Sequence, residues 1–418
     1  MNAKERLNAS LNHKQPDRLV VDFGATAVTG IHCKIVAELR RHYGLEECPV
    51  KVVEPFQMLG EVDDELQQII GIDCVPLFGK KNMFSSTQTE YHEQQTWWGQ
   101  MIQISKQIDM TPDAKGDVYV FAEGDTSFPP SAVMPQGCYF FNAIERGKEV
   151  DDSSLTAEDN IEEFGYISDE DLAFFTAHAD QIAKKNKGIV ASFGGTALGD
   201  IAFIPGMGLK TPKGIRNVSE WYMSTILRSE HVNRMFELQT DIAIANYRKL
   251  WERIGDKVDV VFTCGTDFGT QDSQFCSVET FNTLWAPHYR RLNDWIHQHT
   301  TWKVFKHSCG AVYPLLKAFS ESGFDIINPF QINAKDMNTE RIKKEFGDRL
   351  TFWGGGIDTQ KILPSASPRE VRDHVLRQCE TLNQSGGFVF NAVHNIQANA
   401  PIENVVAMIE AINEYRGI

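Results

Sequence analysis

No stretch of these 418 residues approaches the ~18 consecutive apolar residues that a membrane-crossing helix needs, so no membrane span is expected. Paired cysteines are missing too. Cys33, Cys48, Cys74, Cys138, Cys264, Cys276, Cys309 and Cys379 are scattered without disulfide or zinc-finger spacing, which points to a reducing, cytoplasmic location. The start, Met1-Asn2-Ala3-Lys4-Glu5-Arg6-Leu7, lacks the apolar centre of a signal peptide and reads as a capped amphipathic helix. Positive charge is in deficit. Lys and Arg total 41 against 56 Asp and Glu, a net −15, which argues against nucleic acid or an anionic membrane as partner. There is no internal repeat and no low-complexity tract. Gly79-Lys80-Lys81 lacks the glycine spacing of a phosphate loop.

What the sequence does contain is alternation. Gly71–Leu77, Gly188–Phe193, Val258–Thr263, Lys303–Lys306, Phe324–Asn328, Leu350–Trp353 and Gly387–Asn391 are short, apolar and rich in β-branched or aromatic residues, as buried parallel strands are. Amphipathic helical patterns separate the later ones, including Val278–Thr300 and a Ser367-Pro368 helix start. The pattern predicts an α/β protein, a TIM (β/α)8 barrel formed by residues 1–418 as one domain with an N-terminal extension. Seven strands are assigned; the eighth is placed around Ile201 to Ile204. Residues from about 80 to 170, rich in Gly, Pro, Thr and aromatics, predict an inserted antiparallel β lid.

In such a barrel, chemistry sits where strands end. His307-Ser308-Cys309-Gly310 follows one strand, and a strand running through Cys309 would put both side chains on one face. Thr266-Asp267-Phe268-Gly269 follows a second strand and Val393-His394-Asn395 a third. His307, Cys309 and His394 make three N/S ligands with an open fourth position, the pattern of catalytic zinc. The plainer reading is a core cysteine and two hydrogen-bonding histidines. Asp267 is a further ligand, a partner to one, or an acid–base group. Glu252, Asp267 and His288 form a more widely spaced alternative set. Trp353-Gly354-Gly355-Gly356 reads as a tight turn rather than a phosphate cradle, with Asp358 a carboxylate facing the pocket.

These motifs together resemble the uroporphyrinogen decarboxylase superfamily, and within it the corrinoid-dependent methyltransferases. The likeness runs from Lys4-Glu5-Arg6-Leu7 and His13-Lys14-Gln15-Pro16-Asp17-Arg18, through Thr266-Asp267-Phe268-Gly269-Thr270-Gln271 and His307-Ser308-Cys309-Gly310, to Trp353-Gly354-Gly355 with Ile357-Asp358-Thr359 and His394-Asn395-Ile396-Gln397. The resemblance implies a TIM barrel, zinc held by a His-x-Cys pair and a distant cysteine, and a methyl group exchanged with a corrinoid. His307 and Cys309 match the pair; His394 stands where the distant cysteine would fall. The family's decarboxylases carry an arginine-rich segment near the start, whereas Asp22–Gly30 has no arginine.

The expectation is therefore a zinc-dependent O-demethylase that moves methyl from a methoxylated, aromatic substrate to a corrinoid protein. Asp267 and Asp358 would serve catalysis, and Trp98, Phe268, Phe330 and Trp353 are candidate walls of the substrate site. No cobalamin motif is apparent, so the corrinoid (cobalamin) is expected on a separate partner; the family often forms homodimers. The alternatives are a methylcorrinoid-to-thiol methyltransferase, a decarboxylase-like enzyme and a non-catalytic corrinoid-protein binding module.

Overall fold

A computed structural model describes residues 1–194 and 196–418. Eight parallel strands form one sheet: β1 (Val20–Val21), β2 (Cys74–Leu77), β3 (Gly188–Ala191), β4 (Val260–Cys264), β5 (Lys303–His307), β6 (Ile326–Asn328), β7 (Thr351–Trp353) and β8 (Phe388–Phe390). Their spatial order is β1-β8-β7-β6-β5-β4-β3-β2, a nearly closed TIM barrel. Seven strands lie where the apolar runs are. The eighth does not lie at Ile201–Ile204, which forms turns; it is Val20–Val21, paired with Val389 and Phe390. Two residues are too few to display a strand period, so the sequence pattern could not mark them.

Alternation along each strand sorts the side chains. Val20, Cys74, Val190, Val260, Phe305, Ile326, Trp353 and Val389 fill the bore, where Leu7 and Leu11 of the helix Ala3–Leu11 join them. Their strand neighbours, such as Val21, Ile327, Phe352 and Phe390, face the helical layer. Parallel strands covered on both faces must be apolar on both, which is why they read as continuous apolar runs.

No ladder joins β1 to β2 among the described residues. Asp73 bridges the seam instead. Its N–H donates to Val21 O at 2.8 Å and its Oδ2 accepts Val21 N–H at 3.0 Å. Buried Arg6 and Arg416 hold that carboxylate at 2.6 and 3.3 Å, tying the first helix and the last one to the closure.

Accessory β-structure covers the region before β3. Tyr91–Gln95 and Met101–Ser105 form an antiparallel hairpin, and Val118–Val120, Ala132–Met134 and Asn142–Ala143 a small second sheet. The hairpin's sheet also takes Val50–Glu54, parallel to Met101–Ser105, then Leu59–Gly60 and Ile31–His32. Segments on either side of β2 thus share one sheet. No described helix is long and apolar enough to cross a membrane.

Asp73→Ala should strand buried Arg416, leave Arg6 with Asp17 alone and open the seam. We expect a loss of about 3–5 kcal/mol in urea unfolding, far more than Asp256→Ala at the exposed turn before β4.

Candidate metal centre

The site begins with the parity of β5. Phe305 points into the bore, Lys306 away from it and His307 inward again at the mouth. Ser308 N–H still bonds Asn328 O at 2.7 Å, then the ladder stops. The strand therefore ends at His307 and does not run through Cys309. Cys309 N–H turns to Asp267 Oδ1 at 2.6 Å. Gly310 follows at φ +93° with its backbone pressed against Gly269, where a Cβ would clash. This turn, rather than strand alternation, carries the thiol back, and Cys309 Sγ lies 3.4 Å from His307 Nε2.

His394 arrives from the loop after β8. Its neighbours are pinned: Asn391 Nδ2 donates to Asp22 O and Thr29 O, and Asn395 Oδ1 accepts Gly30 N–H at 2.6 Å. The His394 ring stands 5.4 Å from that of His307, at 75°. The ligand atoms of His307, Cys309 and His394 all lie within 4.8 Å of one another, and they are the one such His/Cys/acid group among the described residues.

A relay fixes which nitrogen of His307 is available. Trp353 Nε1 donates to Asp22 Oδ2 at 2.8 Å, Asn328 Nδ2 donates to Trp353 O at 2.9 Å, and Asn328 Oδ1 faces His307 Nδ1 at 2.6 Å. An amide that gives its N–H to a carbonyl must turn its oxygen to the imidazole, so Nδ1 carries the proton and Nε2 offers a lone pair toward Cys309. Metal-bound histidines are oriented in this way.

Burial sets the charges. It pulls both imidazoles down, His307 to about 4 and His394 to about 4, so each is neutral near pH 7. Burial, then nearby Asp267, holds the Cys309 thiol well above its usual range. Burial also raises Asp267, whose Oδ1 is 3.6 Å from His307 Nε2, and lifts Asp200 to about 6. Gly265 is needed where it stands, because a Cβ there would run into the Asp200 carboxylate. Two neutral imidazoles and one thiol suit a borderline-soft divalent metal. Tetrahedral zinc with bonds of about 2.0–2.3 Å separates its ligand atoms by about 3.3–3.8 Å. The His307–Cys309 pair already has that spacing.

The other residues named from sequence fall elsewhere. Phe268 packs on Phe281, Trp285 and Phe319; Phe330 packs on Phe352; Trp353 fills the bore against Phe305. All three are covered by protein, because aromatics at strand ends serve the core first. Trp98 packs with His32 and Tyr139, beside a groove of about 510 Å³ lined by Lys34, Arg41 and Met101 and by none of His307, Cys309 and His394. Asp358 Oδ1 accepts from Gln360 N–H, Lys361 N–H and Asn333 Nδ2, so this oxygen caps its own loop. His288 meets Asn233 on the outer helices and Glu252 is exposed on the helix Ser229–Ile254, so the alternative metal set does not assemble.

Sequence reasoning missed four polar residues of the site. Asn328 ends a strand that the apolar run does reveal. Asp200 and Tyr222 carry no local pattern, for they meet the site only through the fold, and Lys306, next to His307, is hidden in a strand read for its apolar run.

Residues 211–415, which contain all three candidate ligands, match the uroporphyrinogen decarboxylase (URO-D) family. The chain is thus similar to that family over its C-terminal half. Uroporphyrinogen decarboxylases from three strains of Coxiella burnetii are each 28% identical to it over 102 residues, 24% of this chain and 26% of each relative. The match thus spans about a quarter of those relatives' length. A methyltransferase from Methanosarcina mazei has the same fold, with a TM-score of 0.55 over 99% of both chains at 13% identity.

Asn328→Leu should free the His307 ring while leaving all three ligands in place. Zinc affinity, read by competition with a chromophoric chelator, should fall about 10- to 100-fold. The metal-free protein should also be acid-sensitive. With both imidazoles at about 4 in the fold against 6.5 unfolded, the unfolded chain binds protons first as pH falls. Their contribution is complete above pH 6.5 and is lost as pH falls toward about 4; Tm of the chelated protein against pH reads it.

Proposed function

We propose that this protein is a zinc-dependent methyltransferase that takes the methyl group of a small methoxylated, aromatic substrate and passes it to a reduced corrinoid on a separate protein. The observation that carries the reading is the convergence of His307, Cys309 and His394 at the mouth of the barrel, with His307 Nε2 left unprotonated by Asn328. Bound there, Zn²⁺ would supply Lewis acidity toward the ether oxygen.

The donor set favours an oxygen substrate. His307, Cys309 and His394 bring one formal negative charge, where a His and two cysteines would bring two. The dication is then less neutralised, which strengthens its pull on oxygen and makes it a poorer home for a substrate thiolate. Transfer would break the methyl carbon–oxygen bond with its electron pair left on oxygen, a reduced corrinoid, as acceptor, supplying the pair for the new bond to carbon. Asp267, raised by burial and set beside His307, is the group in place to orient the substrate or hold a proton for the released oxygen.

Tyr222 is a candidate donor to the substrate. Its hydroxyl is sealed from solvent and has no partner among the described residues. Burial and then Asp267 and Asp200 push its pKa upward. Its ring stacks on Phe275 at 4.7 Å, and Phe275 N–H bonds Phe268 O in the loop that carries Asp267. A buried phenol without a partner is unfavourable unless a ligand completes it. Tyr222 and Phe275 are thus a better aromatic wall than the core residues Phe268, Phe330 and Trp353.

Two experiments follow. Incubated with a reduced corrinoid protein and a panel of methyl ethers and thiols, the enzyme should methylate the corrinoid from an aryl methyl ether; methyl transfer to thiols alone would reverse the direction proposed. Tyr222→Phe should leave Tm and zinc content unchanged and raise KM for the ether about 5- to 10-fold, the worth of one neutral hydrogen bond.

A further inference from the structure

Lys306 is fully buried and has no carboxylate at ion-pair distance among the described residues. Its ammonium sits on the outer side of β5, over the rings of Phe268, Tyr289 and Phe319 at 4.9, 5.5 and 5.9 Å. A methionine or leucine would fill such a cage at less desolvation penalty, so burial alone does not account for a lysine here. What the ammonium does is donate to two backbone carbonyls, Thr266 O at 2.6 Å and His307 O at 2.7 Å.

Those carbonyls belong to the ends of neighbouring strands. β4 and β5 run in register from Val260 opposite Lys303 to Phe262 opposite Phe305; then the register slips and Cys264 pairs with Lys306. Past that bulge the regular ladder no longer fixes the loop after β4 to the end of β5. Thr266 is anchored from the other side, its Oγ1 donating to Ala197 O at 2.8 Å and accepting from Tyr289 OH at 3.1 Å. The next residue is Asp267, which takes the Cys309 N–H and lies beside His307 Nε2.

We infer that Lys306 is a positioning residue of the metal centre: it ties Thr266 O to His307 O across the bulge and so holds Asp267 against the His307–Cys309 pair. It touches neither substrate nor metal and acts through Asp267. The inference rests on the metal reading above.

A double-mutant cycle on zinc affinity tests it, using purified full-length wild type, Lys306→Met, Asp267→Ala and the double variant in competition with a chromophoric chelator. Lys306→Met should bind zinc about 10- to 100-fold more weakly. In the Asp267→Ala background the same change should add less than about 2-fold, since the group it positions is gone. A purely structural lysine would give losses that multiply. That result, or a Lys306→Met protein with wild-type affinity, overturns the inference while leaving the metal site standing. A wild type that takes up no zinc overturns both. If Lys306→Met does not fold, Lys306→Gln, which keeps two N–H donors on a shorter arm, is read in the same cycle with the same outcomes.

Discussion

The hydrogen bond between His307 Nδ1 and Asn328 Oδ1 decides what the mouth of this barrel can do. Without it the imidazole could present either nitrogen, and the approach of Cys309 would be a contact between a thiol and a ring of undefined tautomer. With it, Nε2 is a lone pair of fixed direction. The bond depends in turn on parity, because His307 and Asn328 face each other only where β5 and β6 both point those residues into the bore. Trp353 and Asp22 extend the relay to β7 and the end of β1. The orientation of this one candidate ligand therefore draws on four strands, and the fold and the site are the same set of constraints.

Around that fixed ligand the chain places groups that oppose solvent rather than one another. The histidines are neutral because they are buried, and the thiol is protonated for the same reason. Such a set is poised to exchange the thiol proton for a dication, which compensates the buried charge better than any side chain nearby. Asp267 lies against the pair, 2.6 Å from Cys309 N and 3.6 Å from His307 Nε2, and Tyr222 stacks on Phe275.

Legibility in the sequence followed locality. His307 and Cys309 are two residues apart, so their shared chemistry shows in six letters even though the turn at Gly310, not a continuing strand, brings them together. His394 could be placed only by counting strand ends and by family resemblance. Asn328 stood in view at the end of an apolar run, but its role depends on the register of a neighbouring strand, which no single segment contains. β1 escaped because two residues cannot show a period, and the seam at Asp73 had to be seen folded. Trp353 was misplaced for an avoidable reason: it and Phe352 alternate, and the bore parity that makes Phe305 a core residue makes Trp353 one as well. Asp200 and Tyr222 lie outside any motif and reach the mouth by way of the segment after β3.

The central claim is a zinc ion held by one sulfur and two imidazoles. X-ray absorption at the zinc edge of the purified protein measures that directly. The account predicts a single sulfur scatterer at about 2.3 Å with the remaining shell of nitrogen or oxygen at about 2.0–2.2 Å, and loss of the sulfur shell in Cys309→Ser. A zinc shell with two or more sulfurs, or with none in the wild type, would contradict it.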